Sequence, residues 1–187
     1  GLGGSVTLEE VKRLDLETKT VVTGSNTYQA KAIIIAAGLK RRTLGCRGEE
    51  RLTGRGVSYC AICDGRFFTG KNVVIAGGGN TAMEDALYMS GYCHHITILC
   101  RGDRLKGEEK LKESIDKKEN ITVLYGVNIK EILGDQMVEE VLLDNGKYLK
   151  TSAVFVAIGY EADSTFLGEP LEMTGEGYVV AGEDCRT

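Results

Sequence analysis

The stretch from Val73 to Ala82 constrains the fold more than any other part of the chain. Val73-Val74-Ile75-Ala76 is a short apolar run, suited to a strand buried on both faces. Gly77-Gly78-Gly79-Asn80-Thr81-Ala82 follows at once. Ala82, Met83, Ala86, Leu87, Met89 and Ser90 then recur at helical spacing as far as Gly91, a C-terminal stop signal. Ile96-Thr97-Ile98-Leu99 reads as a second strand. Strand, glycine turn, helix and strand make one βαβ unit, expected to cross over right-handed. In Gly77-x-Gly79-x-x-Ala82, the first glycine permits a sharp turn and the second lets backbone approach a pyrophosphate. Ala82 allows close helix–strand packing, and the helix N-terminus offers free N–H groups to phosphate. Gly77, Gly78, Gly79, Asn80, Thr81 and Ala82 are therefore the candidate dinucleotide-binding residues, and Glu84 on the helix that follows is a further candidate. The alternative is a tight turn with no ligand.

Glu108 to Lys118 reads as a charged, solvent-facing helix with Glu108–Lys112 and Glu113–Lys117 at i,i+4 spacing. Ile121 to Tyr125 reads as a third strand. Val138 to Leu143 and Lys147 to Leu149, joined by Asp144-Asn145-Gly146, form a hairpin pattern. Ala153 to Gly159 is another buried strand, and its closing Ile158 and Gly159 join the candidate cofactor residues. The N-terminal part runs to the same plan: a hairpin from Val11 to Thr23, a connection, then Ala32-Ile33-Ile34-Ile35-Ala36-Ala37-Gly38 as an apolar strand. This reads as an internal repeat. In the second copy a glycine turn opens the plan; the spacing from Gly77 to Gly159, applied to Gly38, puts the first copy's turn before residue 1. The expectation is a chain shortened from a larger two-domain protein. It comprises a remnant of one nucleotide domain (1–45), a nucleotide-binding domain (46–160) and the start of a return segment (161–187). The expected class is α/β: a Rossmann-like three-layer domain with a parallel sheet and a β-meander.

Composition narrows the function. Hydrophobic residues are 42% and charged residues 27% of the chain, enough for a packed core. A net charge of −4 argues against a basic nucleic-acid face. No apolar run approaches a membrane span, and no secretory leader pattern is present. Glycine, 25 of 187 residues, is well above its usual share of about 7%. After the second strand comes Cys100-Arg101-Gly102-Asp103-Arg104-Leu105-Lys106. An NAD site usually places an acid at that strand end, whereas cations there suit a 2′-phosphate. Arg101 and Lys106 therefore favour NADPH over NADH, with Asp103 and a merely solvated turn on the other side.

Six cysteines are spread through βα-like sequence, which reads as a reducing, cytoplasmic-type compartment with one special pair. Cys60-Ala61-Ile62-Cys63-Asp64 lies just ahead of the βαβ unit and reads as a redox motif. One thiolate attacks a disulfide and the other resolves the mixed disulfide. Asp64 is placed as general acid or base for the proton that must move. Zinc held with Cys93-His94-His95 is a competitor, although the finger spacing is absent; two inert buried cysteines are another. Cys93 and Cys100 should pack at element edges, and Cys46 and Cys185 should lie in loops.

Gly54-Arg55-Gly56-Val57-Ser58-Tyr59-Cys60-Ala61-Ile62-Cys63-Asp64-Gly65, followed by Gly77 to Ala86, resembles the bacterial low-molecular-weight thioredoxin reductase family. The resemblance covers nearly the whole chain. It implies a homodimeric flavoenzyme in which NADPH reduces FAD, FAD reduces the cysteine pair, and the pair reduces thioredoxin. It makes Cys60 the thiol that attacks thioredoxin, Cys63 the one nearer the flavin, and Asp64 the proton donor. It also implies rotation of the NADPH domain about hinges near Leu44–Arg51 and Gly159–Phe166. Where the family has His-Arg-Arg-x-x-x-Arg, this chain has Cys100-Arg101-Gly102-x-x-x-Lys106. The opening flavin-domain glycine motif is absent from this sequence, so poor FAD binding and little complete turnover are expected of it. A non-catalytic NADPH-binding module, and a related flavoprotein with another electron donor, are the alternatives.

Overall fold

A computed structural model describes residues 3–167, 171–175 and 177–184. Two compact units divide the chain: one runs to Arg41 and resumes at Tyr160, and the other is Arg42–Gly159.

In the first unit, β1 (Val11–Asp15), β2 (Thr20–Thr23) and β3 (Thr27–Gln29) form an antiparallel sheet in that order. The expected hairpin is present, closed by Lys19 at φ 53° and by a Thr18 N–H donating to the Asp15 carboxylate at 3.0 Å. The third strand was not evident in the sequence. Its turn is built by Thr23, whose hydroxyl accepts from the Asn26 N–H at 2.9 Å. Ala32–Gly38, expected as a strand, is not one: among the described residues no strand pairs with it. A buried parallel strand needs ladder partners on its flanks, and among the described residues none of β1, β2 or β3 hydrogen-bonds to this run. The run from Ile33 to Ala37 instead lines an open cavity of about 550 Å³ with Val11, Leu14 and Phe166. The following β4 is Lys40–Arg41.

The second unit holds α1 (Glu49–Leu52), β5 (Val57–Ser58), α2 (Ala61–Asp64) with a 3₁₀ turn at Gly65–Phe68, β6 (Asn72–Ala76), α3 (Asn80–Met89) and β7 (His95–Cys100). It continues through α4 (Glu109–Asp116), β8 (Ile121–Tyr125), β9 (Ile129–Leu133), β10 (Glu140–Leu143), β11 (Tyr148–Lys150) and β12 (Ala153–Val156). The last strand, β13 (Tyr160–Glu161), belongs to the first unit and pairs with β4.

Five strands make a parallel sheet in the order β5-β12-β6-β7-β8. Alternation along them sends side chains to two separate cores. Val73, Ile75, Ile96, Ile98 and Phe155 pack against α3 through Ala82, Met83, Ala86 and Met89. Val74, Ala76, Leu99, Val154 and Val156 pack against Ile129, Ile132, Val141 and Leu143 of the antiparallel β9-β10-β11 sheet. Covering on both faces is why these strands read as unbroken apolar runs. The unit is thus a three-layer Rossmann-like fold: helices, parallel sheet, β-meander. The hairpin turns at Gly146, φ 83°. The helix expected over 108–118 spans Glu109–Asp116, and its ion pair is Lys112–Glu109 at 3.1 Å, an i,i+3 contact rather than either expected i,i+4 pair. Cys185 lies outside the described residues. No helix among the described residues is long and apolar enough to cross a membrane.

Candidate functional site

The glycine turn leaves the carboxyl end of β6, where ligands of open α/β sheets bind. Gly77 has φ 149°, and a side chain there would run into the Ala157 carbonyl oxygen and reach Ala82 Cβ at 3.2 Å. Its N–H donates to Leu99 at 3.0 Å, so the turn is stitched to β7. A Cβ on Gly79 would meet only the Lys106 carbonyl, at 3.7 Å, leaving room for a ligand to approach the backbone. Gly79 is the N-cap of α3 and supplies no side-chain cap. Ala82 is fully buried beneath it. Ala157 donates to Ala76 at 2.8 Å, which brings the Ile158-Gly159 end of β12 beside the turn.

The cationic loop is fastened to the same turn. Lys106 N–H donates to the Gly78 carbonyl at 2.6 Å, and the Cys100 thiol donates to the Arg104 carbonyl at 3.3 Å. The Glu108 N–H donates to the Asn80 side-chain oxygen at 2.9 Å, joining the starts of α3 and α4. Asn80 thus has a structural bond that its place in the motif did not reveal. Arg101, Arg104 and Lys106 are exposed, and no ion pair among the described residues engages them. Thr81 and Glu84 are exposed on the first turns of α3.

Cys60 and Cys63 form a disulfide, Cα to Cα 5.3 Å. Cys60 is the N-cap of α2, and the Cys63 N–H donates to its sulfur at 3.2 Å. Cys60 is half-buried and Cys63 exposed. Asp64 accepts a 2.6 Å hydrogen bond from Ser58, whose hydroxyl also accepts from the Cys60 N–H at 3.1 Å. Ser58 therefore joins Asp64 to the backbone of Cys60. Sequence reasoning missed it, because nothing in a C-x-x-C spacing marks a residue two places upstream.

Glu49 was missed as well. Buried, it accepts from the N–H groups of Leu44 and Gly45, both at 2.8 Å, and from the Tyr59 hydroxyl at 2.9 Å. Burial and this hydrogen bond push the Tyr59 hydroxyl up to about 12. The carboxylate so ties the connection before α1 to the residue preceding the disulfide. Behind α2, Phe68 packs edge-on to Phe155 at 5.8 Å. The Arg66 guanidinium lies 4.5 Å above the Tyr92 ring. Cys93 is buried, and its thiol, pushed up to about 11 by burial, donates to the Phe68 carbonyl. Among the described residues no His, Cys, Asp and Glu cluster could hold a metal ion.

A parallel sheet covered on both faces, a glycine turn opening a helix at its carboxyl edge, and a disulfide on the adjoining short helix define a dinucleotide-fold protein that carries a cystine. The chain belongs to the pyridine nucleotide-disulphide oxidoreductase family, whose model matches residues 3–187. It is similar to a thioredoxin reductase of Listeria innocua, 40% identical over 179 residues, covering 91% of this chain and 56% of the relative. Among solved structures, it resembles a thioredoxin reductase from Giardia duodenalis, with TM-score 0.80 and 31% identity over 97% of this chain and 62% of that one. It also resembles a thioredoxin reductase of Lactococcus lactis, with TM-score 0.79 and 30% identity over 95% of this chain and 61% of that one. The chain spans a little more than half the length of these relatives.

Proposed function

We propose that this chain is the pyridine-nucleotide and disulfide portion of a cytoplasmic thioredoxin reductase. The observation that carries the reading is the Cys60–Cys63 disulfide capping α2, ahead of a glycine turn built for a pyrophosphate. Cys60 acts as nucleophile toward thioredoxin: the Cys63 N–H that donates to its sulfur favours its thiolate. Cys63 resolves the mixed disulfide. Asp64, oriented by Ser58, passes the proton.

The residues present fit NADPH, which when bound supplies the reducing electron pair. Gly77 makes the turn, and Gly79 with the α3 N-terminus would hold the pyrophosphate. Arg101 and Lys106 take the 2′-phosphate. The described residues offer FAD no second pyrophosphate cradle. Among the described residues, the glycine turn at Gly77–Gly79 is the one that opens a helix at the carboxyl edge of the parallel sheet, and the first unit has no helix N-terminus among its described residues.

The test is single-turnover exchange. The chain is reduced, freed of reductant and mixed with oxidised thioredoxin. One equivalent of reduced thioredoxin, with Cys60 and Cys63 returning to a disulfide, is the expected result. Thioredoxin left oxidised by a chain whose two thiols are demonstrably free would refute the reading.

A further inference from the structure

The surface around the disulfide has an unusual composition. Ile62 is 71% exposed and Phe67 is 81% exposed, on either side of the exposed Cys63. Large apolar side chains so placed mark a contact surface. Between them in sequence stands Arg66, exposed, with no ion pair among the described residues. It lies four residues from Ile62 and three from Cys63 on one continuous helical segment, so the three share a face. Its guanidinium rests on the Tyr92 ring at 4.5 Å, and Tyr92 is braced edge-on by Tyr88 at 5.5 Å. A stacked guanidinium has lost its rotamer freedom already, yet keeps its in-plane N–H donors for a carboxylate.

We propose that Arg66 selects the partner of the cysteine pair by charge. The favoured partner is a protein whose disulfide is ringed by apolar side chains with a carboxylate at the rim. Ile62 and Phe67 meet the apolar ring and Arg66 meets the carboxylate. This rests on the exchange reading above, in which the pair meets an external disulfide. In that exchange, one thiolate of the reduced pair attacks a partner sulfur. The partner S–S bond breaks, a mixed disulfide forms, and a partner thiolate leaves and takes a proton. The second cysteine thiolate then attacks the mixed disulfide, closing Cys60–Cys63 and releasing the second partner thiol. Two electrons pass from the pair to the partner.

The probes are three synthetic peptides, each cyclised by one disulfide between leucine and valine flanks and differing only in a Glu, Gln or Lys beside the ring. The full chain, reduced with dithiothreitol and desalted, is mixed with each, and exchange is followed after acid quench. The wild-type chain is expected to reduce the Glu peptide about fivefold faster than the Lys peptide at low salt, a preference that shrinks in high salt. R66Q should bring that ratio near one and R66E should invert it. The ratio within each variant cancels any change in thiol reactivity. A Glu-to-Lys ratio in R66Q equal to that of the wild type overturns the proposal while leaving the exchange reading intact. Failure of the reduced wild-type chain to exchange with any of the three peptides overturns both.

Discussion

Asp85 lies half-buried on α3, and burial pushes its carboxyl up to about 6, with the neighbouring Glu84 charge adding to the effect. The unfolded side chain titrates near 3.8, so between about pH 4 and pH 6 the native state holds the extra proton. Wild-type stability therefore falls as pH rises through that window, and the loss is complete above it. Asp85→Asn should be more stable than the wild type at pH 7.5 and equal to it at pH 3.5. The gain, discounted for solvent screening, is about 1 kcal/mol, or about 2–4 °C in Tm. Thermal melts at the two pH values check it; a gain that persists at pH 3.5 would contradict the cause given. Arg101 is a second residue-scale test. On the proposed 2′-phosphate contact, worth roughly 1.5 kcal/mol, Arg101→Ala should weaken NADPH about tenfold more than NADH in calorimetry. Equal loss for both coenzymes would refute the assignment.

The β6–α3–β7 element is where sequence and structure agree most closely, and the reason is physical. Gly77 is held at φ 149° with the Ala157 carbonyl against its missing side chain. Gly77→Ala should cost more than about 2 kcal/mol, because strain and collision act together. A urea titration at constant slope measures it; a cost below about 0.5 kcal/mol would show that the turn relaxes freely. Strands buried on both faces announce themselves as apolar runs, which is why β6, β7 and β12 were legible. The disulfide pair was legible because two intervening residues suit a sulfur–sulfur contact. Strand β5 was not: two residues carry no periodicity, and its partner Val154–Phe155 lies far along the chain. Strand β9 was hidden because its exposure pattern is set by a meander formed later in sequence. The run Ala32–Gly38 misled, since apolarity alone cannot tell a strand from a segment that lines a cavity. Ser58, Glu49 and Tyr92 were invisible because each acts through a partner brought near only by folding.

Across the whole molecule, apolar burial is lopsided. Among the described residues, every buried hydrophobic side chain except Leu14 lies between Leu52 and Val156. The first unit therefore opens at low free energy, while the parallel sheet opens only with global unfolding. Hydrogen exchange followed by mass spectrometry should show amides of β1–β3 exchanging at least a hundredfold faster than those of β6, β7 and β12. Comparable protection in the two sets would contradict this. The Arg42 N–H donates to the Gly159 carbonyl at 3.1 Å, so the second unit begins and finishes at one spot. A loop knotted at its neck in this way is a cassette: it can be cut out, or spliced between two residues of an unrelated host, with little added closure entropy and no strand made to slip.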